Sequence, residues 1–236
     1  MINKEDEQPA NPVTPQLYPL PLTITQIKMK TRISILIFVI LVTLTSCGRV
    51  DSNNAADEGK VEGDIYSSDE IGWTIEIPKG WTIVDKEKSQ SNTEKGLKAI
   101  EETIEQEVDY SGLKNLIGFQ KNEFNIFQST SEPFELEYEG EWEENNRALK
   151  EILYTTYENQ GIKVDSTATS IEKIDGLDFQ TYSFTIYSPK GEVILNQLLF
   201  SRLINGYDFG ANLNYNNEKD RDELLSVFRN SKFKKK

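Results

Sequence analysis

Three short turn sequences in the C-terminal half constrain the fold more than any other feature of the chain. They are Asp175-Gly176, Pro189-Lys190-Gly191 and Asn205-Gly206, and each separates two strand-like segments. Asp-Gly and Asn-Gly pairs favour the tight turns of β-hairpins, whose backbone needs positive φ values. The sequence therefore predicts an antiparallel meander. Its four strands are residues 162–174, 177–188, 192–203 and 207–215.

The last of these strands alternates strictly between apolar and polar residues. Its odd-numbered positions are aromatic or aliphatic, which predicts that one face of the strand lies in the core. The other face presents Asp208, Asn212 and Asn214. These three residues form a candidate binding face, provided that no helix covers it. The competing interpretation is a solvated strand face without a function.

Three helices are expected around this meander. A Ser91-x-x-Glu94 capping box opens the first, and an apolar stripe continues to Val108. The second covers residues 141–160, with acidic residues in its first turn, and the third covers residues 218–230. Helices and antiparallel strands grouped by type predict an α+β fold, an antiparallel β-sheet packed with two to three α-helices.

The N-terminal part of this domain reads as a hairpin. Residues 71–77 alternate with period two, Pro78-Lys79-Gly80 supplies a turn, and residues 81–84 return. Trp73 and Trp81 follow the buried alternation, so we expect core residues rather than a platform for stacking sugars. Further on, three acids alternate over residues 135–139, which is typical of an edge strand protected by charge.

An apolar run over residues 33–44 precedes the only cysteine of the chain, Cys47. Basic residues stand before the run, and Thr45 and Ser46 separate it from the cysteine. The run is too short for a spanning helix, which needs about 20 apolar residues, and it fits a signal peptide. The pattern resembles the lipobox of bacterial lipoproteins. That resemblance implies cleavage between Ser46 and Cys47, lipid on Cys47, and a membrane-anchored protein of the cell envelope.

The predicted organisation has three parts. Residues 1–46 form the signal region, in which residues 1–28 are acidic and proline-rich and Met29 is the expected translation start. Residues 47–68 are polar and lack periodicity, which indicates a flexible tether. Residues 69–236 form one α+β domain. Gly48 follows the cysteine, and in enteric bacteria the absence of Asp there favours the outer membrane.

Composition excludes several kinds of chemistry. The chain has no histidine, which removes Ser-His-Asp and Cys-His catalysis and histidine-based metal sites. The formal net charge is −13, so nucleic acid is not an expected partner. No Asp-rich calcium loop is found, and we expect neither a metal nor a cofactor.

Short motifs in the domain resemble those of PsbP-like domains. They are the hairpin Ile71-Gly72-Trp73-Thr74-Ile75-Glu76-Ile77-Pro78-Lys79-Gly80-Trp81, the turn at Asp175-Gly176, and the closing residues 224–233. The resemblance covers residues 69–233 in order and implies a PsbP-like α/β/α sandwich with a binding role. It carries over no catalytic residue.

Two functional classes remain open at this point. The first is a non-enzymatic envelope lipoprotein that binds a protein or a small ligand. The second is a carboxylate-dependent hydrolase acting on envelope glycans, which needs two acids about 5–10 Å apart in a cleft. No pair of acids in the sequence indicates such an arrangement.

Overall fold

The computed structural model describes residues 55–234 of the chain. Helices α1, α2 and α3 span Lys86–Ile104, Glu141–Asn159 and Glu218–Asn230. Strands β1 to β12 span Lys60–Glu62, Ile65–Ser68, Trp73–Glu76, Thr82–Ile83, Lys114–Gln120, Ile126–Pro133, Val164–Ser166, Ser170–Ile174, Leu177–Tyr187, Val193–Ile204, Tyr207–Tyr215 and Lys232–Phe233. In this part of the chain, no helix is long and apolar enough to cross a bilayer. The predicted α+β fold is confirmed.

The strands form two antiparallel sheets. The large sheet has the order β4-β5-β6-β11-β10-β9-β7, with β8 also paired to β9, and the small sheet has the order β1-β2-β3-β12. The predicted meander is confirmed by the pairing of β9 with β10 and of β10 with β11. Asp175 and Asn205 have the positive φ values that their turns require, 48° and 53°. The strand expected over residues 162–174 is interrupted, and its two halves, β7 and β8, both pair with β9.

The predicted N-terminal hairpin is wrong. β3 pairs with β2 and β12 in the small sheet, whereas β4 pairs with β5 in the large sheet. The turn after β3 therefore carries the chain from one sheet to the other. Both tryptophans are nevertheless buried as predicted, with Trp73 0% and Trp81 7% exposed.

The predicted tether is also wrong over residues 55–68, which belong to the fold. Tyr66 is fully buried, and its hydroxyl donates to the carbonyl oxygen of Glu58 at 2.7 Å. The backbone N–H of Asp57 donates to the carbonyl oxygen of Asn115 at 2.8 Å, and Asn115 N–H donates back to the Asp57 carboxylate. Hydrogen bonds to residues far away in the chain order this polar stretch. Such bonds need no regular alternation of apolar residues, so the sequence does not indicate them. The predicted signal region, Ser46, Cys47 and residues 47–54 lie outside the described residues.

Two further local predictions need correction. Helix α1 begins five residues before the predicted capping box, because the carboxylate of Asp85 accepts a hydrogen bond from the Lys88 N–H and caps it. Val108 lies beyond its end. The acidic stretch over residues 135–139 is a loop between β6 and α2, not an edge strand. The apolar residues that alternate with these acids, Leu136 and Tyr138, are 50% and 52% exposed, so they do not hold the segment against a neighbour.

The large sheet separates two layers of packing. On one face lie α3 and the small sheet, with an aromatic cluster that includes Trp73, Phe127, Phe209 and Phe228. On the other face lie α1 and α2, whose core residues include Leu97, Ile100, Leu149 and Leu153. The rings of Phe119 and Phe127 stack with centroids 4.7 Å apart, and those of Trp73 and Phe209 meet edge to face at 4.9 Å.

Candidate functional site

The candidate binding face of β11 is not an open surface. Asn212 is 2% and Asn214 4% exposed, and Asp208 is half-buried. The face belongs to the side of the sheet on which α1 and α2 pack. A binding face was expected only if no helix covers it, and this requirement is not met at Asn212. The interpretation as a solvated strand face fails for the same reason.

Helix α2 lies over this polar face and bonds to it directly. Gln197 of β10 stands opposite Asn214 of β11, and its side-chain oxygen accepts a hydrogen bond from the Tyr157 hydroxyl at 2.9 Å. About three turns earlier on the helix, the Asn146 Oδ1 accepts from the Ser201 hydroxyl at 3.0 Å. Asn146 also donates to Gln180 on β9. Polar side chains, rather than an apolar stripe alone, therefore fix α2 on the sheet.

Several buried amide groups on this face remain unsatisfied. Within the described residues, Gln197 Nε2, both polar atoms of Asn212 and Asn214 Oδ1 have no hydrogen-bond partner. An unsatisfied buried polar group costs about 1–3 kcal/mol of stability. Buried groups of this kind are usually met by ordered water or by a ligand.

The two buried tyrosines on this face, Tyr157 and Tyr182, are neutral phenols. Burial raises the pKa of Tyr182 far above its ordinary value, and the nearby charge of Asp208 raises it further. Burial likewise raises the pKa of Tyr157, with a smaller effect from Tyr182. Both phenols therefore keep their protons at ordinary pH, and neither is suited to act as a base.

Of the three predicted residues, Asn214 borders a large open space. A cleft with a volume of about 760 Å³ lies at the end of the large sheet where β5, β9 and β11 finish. Three connections form its walls: residues 123–126 between β5 and β6, residues 161–163 after α2, and residues 186–195 around the β9–β10 turn. We call this space the distal cleft. Its volume is that of a typical small-ligand site.

The lining of the distal cleft is mostly apolar. Ile126, Ile186 and Leu195 contribute to its walls, and the first two are 5% exposed. At its mouth, Phe124 and Ile194 are 38% and 43% exposed. Large apolar side chains left open beside a cleft mark a site of interaction more often than a solvated surface.

The charged residues of the distal cleft are Lys163, Lys190 and Glu123. The ammonium nitrogen of Lys163 lies 4.9 Å from the centre of the Tyr187 ring. Neither lysine forms an ion pair with a described residue. In a strongly acidic chain, two uncompensated lysines beside an apolar space make the cleft locally attractive to anions.

Sequence reasoning missed the cleft because the three connections and Asn214 of β11, which are far apart in the chain, build it together. One signal was present in the sequence: the apolar run of β10 already begins at residues 193–195, near the turn. The same reasoning found Asn214 but placed it on an open face. Among the described residues, no group of three His, Cys, Asp or Glu could hold a metal ion.

One pair of acids does come together. Glu132 of β6 stands directly opposite Asp208 of β11. Side chains of such a pair have Cβ atoms about 4.5–5.5 Å apart. Six residues along β11 separate this pair from Asn214, so the acids lie roughly 20 Å from the distal cleft.

No family model and no curated protein sequence matches the chain. The structure is similar to the solution structure of cyanobacterial PsbP (CyanoP) from Synechocystis sp. PCC 6803. The sequences are 15% identical, the match covers 81% of this chain and 99% of that chain, and the TM-score is 0.46. A similarity of this degree concerns the path of the chain and assigns no role to any residue.

Proposed function

We propose that this protein is an envelope lipoprotein, anchored through lipid on Cys47, whose α+β domain binds a partner or ligand in the distal cleft and does not act as an enzyme. The observation that carries the proposal is the cleft itself: an apolar space of about 760 Å³ with exposed apolar side chains at its mouth. Its only lining carboxylate among the described residues is Glu123. An acid–base pair is therefore missing from the lining.

The position of the cleft supports a role away from the membrane. Asp57, close to the start of the described chain, binds Asn115 near the beginning of β5. Glu123 and Phe124 of the cleft follow the end of the same strand. A strand of seven residues is roughly 20 Å long. Asp57, near the start of the described residues, thus lies at one end of the sheet, and the cleft opens at the other.

The lipid anchor is tested by Cys47→Ala in the full chain. Seven residues lie between Cys47 and Ala55, so Ala55 of an anchored domain could stand at most about 28 Å from the lipidated cysteine. We expect the variant to lose incorporation of labelled palmitate and to be misprocessed, whereas Ser52→Ala should behave as the parent. Equal palmitate incorporation in both variants would contradict the anchor.

The binding role is tested by photo-crosslinking in intact cells. A photoreactive amino acid at Ile194 should yield one discrete adduct, because this side chain stands at the mouth of the cleft. The matched control is Ile171 on β8, which is 63% exposed and is not part of the cleft. Adducts at both positions, or at neither, would argue against binding in the distal cleft.

A second function has one observation in its favour. The pair Glu132 and Asp208 places two acids directly opposite each other on neighbouring strands, and a glycan hydrolase uses two such acids. Glu132 is only 8% exposed, however, and the open space lies at the other end of the sheet. Hydrolysis of purified envelope glycan by the parent protein, abolished by Glu132→Gln, would establish this alternative.

A further inference from the structure

The distal cleft combines features that select a class of ligand. Its walls are apolar, and its charged residues are two lysines and one glutamate. An apolar wall recognises a hydrocarbon chain by burial, at about 0.8 kcal/mol for each CH₂ group removed from water. A lysine ammonium attracts an anion, and two lysines at one rim exceed the opposing charge of Glu123.

The placement of the two lysines also favours an anionic ligand. Lys163 follows the end of α2, and Lys190 lies in the β9–β10 turn, so they reach the cleft from different segments. Neither is engaged by a carboxylate among the described residues, although the chain has 39 acidic residues and 26 basic ones. Both lysines are exposed to solvent and also border the apolar space, so their ammonium groups are free to meet an anion at its rim.

We infer that the distal cleft binds a single-chain anionic amphiphile of the fatty-acid type, with its hydrocarbon chain against the isoleucine walls and its anion at Lys163 and Lys190. The inference rests on the proposed binding role of the cleft and names the chemistry of the ligand. Phe124 and Ile194 at the mouth extend the apolar surface along which the chain enters. Asn214, a buried amide, is the residue that β11 contributes to the lining.

The experiment uses the full chain in phosphatidylcholine nanodiscs and a matched pair of probes. One probe is a dodecanoate carrying a photoreactive diazirine, and the other is the dodecanol with the same diazirine. After irradiation, labelled peptides are quantified by mass spectrometry. Peptides containing residues 123–126 and 186–195 should carry about fivefold more label from the acid than from the alcohol, since a partly exposed ion pair contributes up to about 1 kcal/mol.

Variants locate the effect at the rim. The double variant Lys163→Gln, Lys190→Gln should be labelled equally by the acid and the alcohol. Both probes keep their hydrocarbon contacts, and the variant lacks the two cations that favour the acid. Lys98→Gln, an exposed lysine on α1, is the matched control and should keep the fivefold preference. Equal labelling of the parent protein by both probes, or no label in the cleft peptides, would overturn the inference. Crosslinking from Ile194 to another ligand would remain as independent support for the binding role, so the two failures are distinguishable.

Discussion

The two faces of the large sheet are built on different principles. The face under α3 and the small sheet is filled by aromatic rings, and Phe228 alone packs against the rings of Phe127, Phe179 and Phe200. The face under α1 and α2 joins aliphatic contacts to a row of buried amides around Gln197 and Asn212. The first face derives its stability from apolar burial. The second face is also stabilised by apolar burial, but its unsatisfied buried amides lower the free energy of unfolding.

The largest effect should come from the aromatic face. Phe228→Ala removes a fully buried ring from the centre of this cluster. We expect the free energy of unfolding to fall by about 3–5 kcal/mol, because the rings around it cannot all collapse into the space. Urea denaturation followed by circular dichroism measures the loss. Leu153→Ala on the opposite face should cost less, about 2–4 kcal/mol, and an equal or greater loss there would contradict the contrast.

The next effect tests the hydrogen bond that holds α2. Tyr157→Phe removes the hydroxyl that donates to Gln197 and leaves that amide without any partner among the described residues. The expected loss is about 1–3 kcal/mol, the cost of an orphaned buried group. Tyr154→Phe on the same helix is the control, since Tyr154 is only partly buried. Equal stability of both variants would mean that the bond to Gln197 contributes nothing.

On the neighbouring strand β11, a substitution at Asn212 is expected to increase stability. Asn212→Leu replaces a buried amide, neither atom of which has a partner in the described residues, by an apolar side chain of similar size. We expect the free energy of unfolding to rise by about 1 kcal/mol, since the unsatisfied groups are removed. A fall in stability in the same urea titration would show that Asn212 is satisfied, for example by buried water. In that case the polar face would carry no net cost at this position.

The sequence predicted the parts of this architecture that local patterns encode. The turns at Asp175-Gly176 and Asn205-Gly206 and the alternation of β11 were enough to predict the meander, because hairpin pairing depends on nearby residues. The sheet to which β3 belongs could not be predicted in this way. Its partner β12 lies at the other end of the chain, and nothing near Trp73 indicates that pairing.

The candidate site shows the same limit. The polar alternation of β11 was correct, but whether a helix covers it depends on α2, which lies some fifty residues earlier. Polar residues are usually exposed, so Asn212 suggested solvent. Only the packed structure shows that amides of α2 and β10 accompany it into the interior. The distal cleft could not be predicted because its walls come from separate loops.

The smallest predicted effect concerns an ion pair at the edge of the aromatic face. Asn217 caps α3 by accepting from the Asp220 N–H, and the Asp220 carboxylate accepts in return from the Asn217 amide. The same carboxylate accepts a hydrogen bond from Lys121 at 2.6 Å. Burial by itself raises the pKa of Asp220, but the hydrogen bonds from Lys121 and Asn217 outweigh it, and the pKa lies below its ordinary value. A lowered pKa in the folded state stabilises the protein above the unfolded value, near 3.9, and this contribution is lost as the pH falls through the folded value.

Asp220→Asn should remove that part of the acid sensitivity. We expect the variant to be less stable than the parent at pH 7 by up to about 1 kcal/mol, and the difference to shrink as the pH falls from 5 to 3. Asp222→Asn, an exposed neighbour on the same helix, is the control. Thermal unfolding at pH 7 and at pH 3 measures the difference in stability. If the gap between Asp220→Asn and the parent is the same at pH 3 as at pH 7, the carboxylate does not stabilise α3 through its charge.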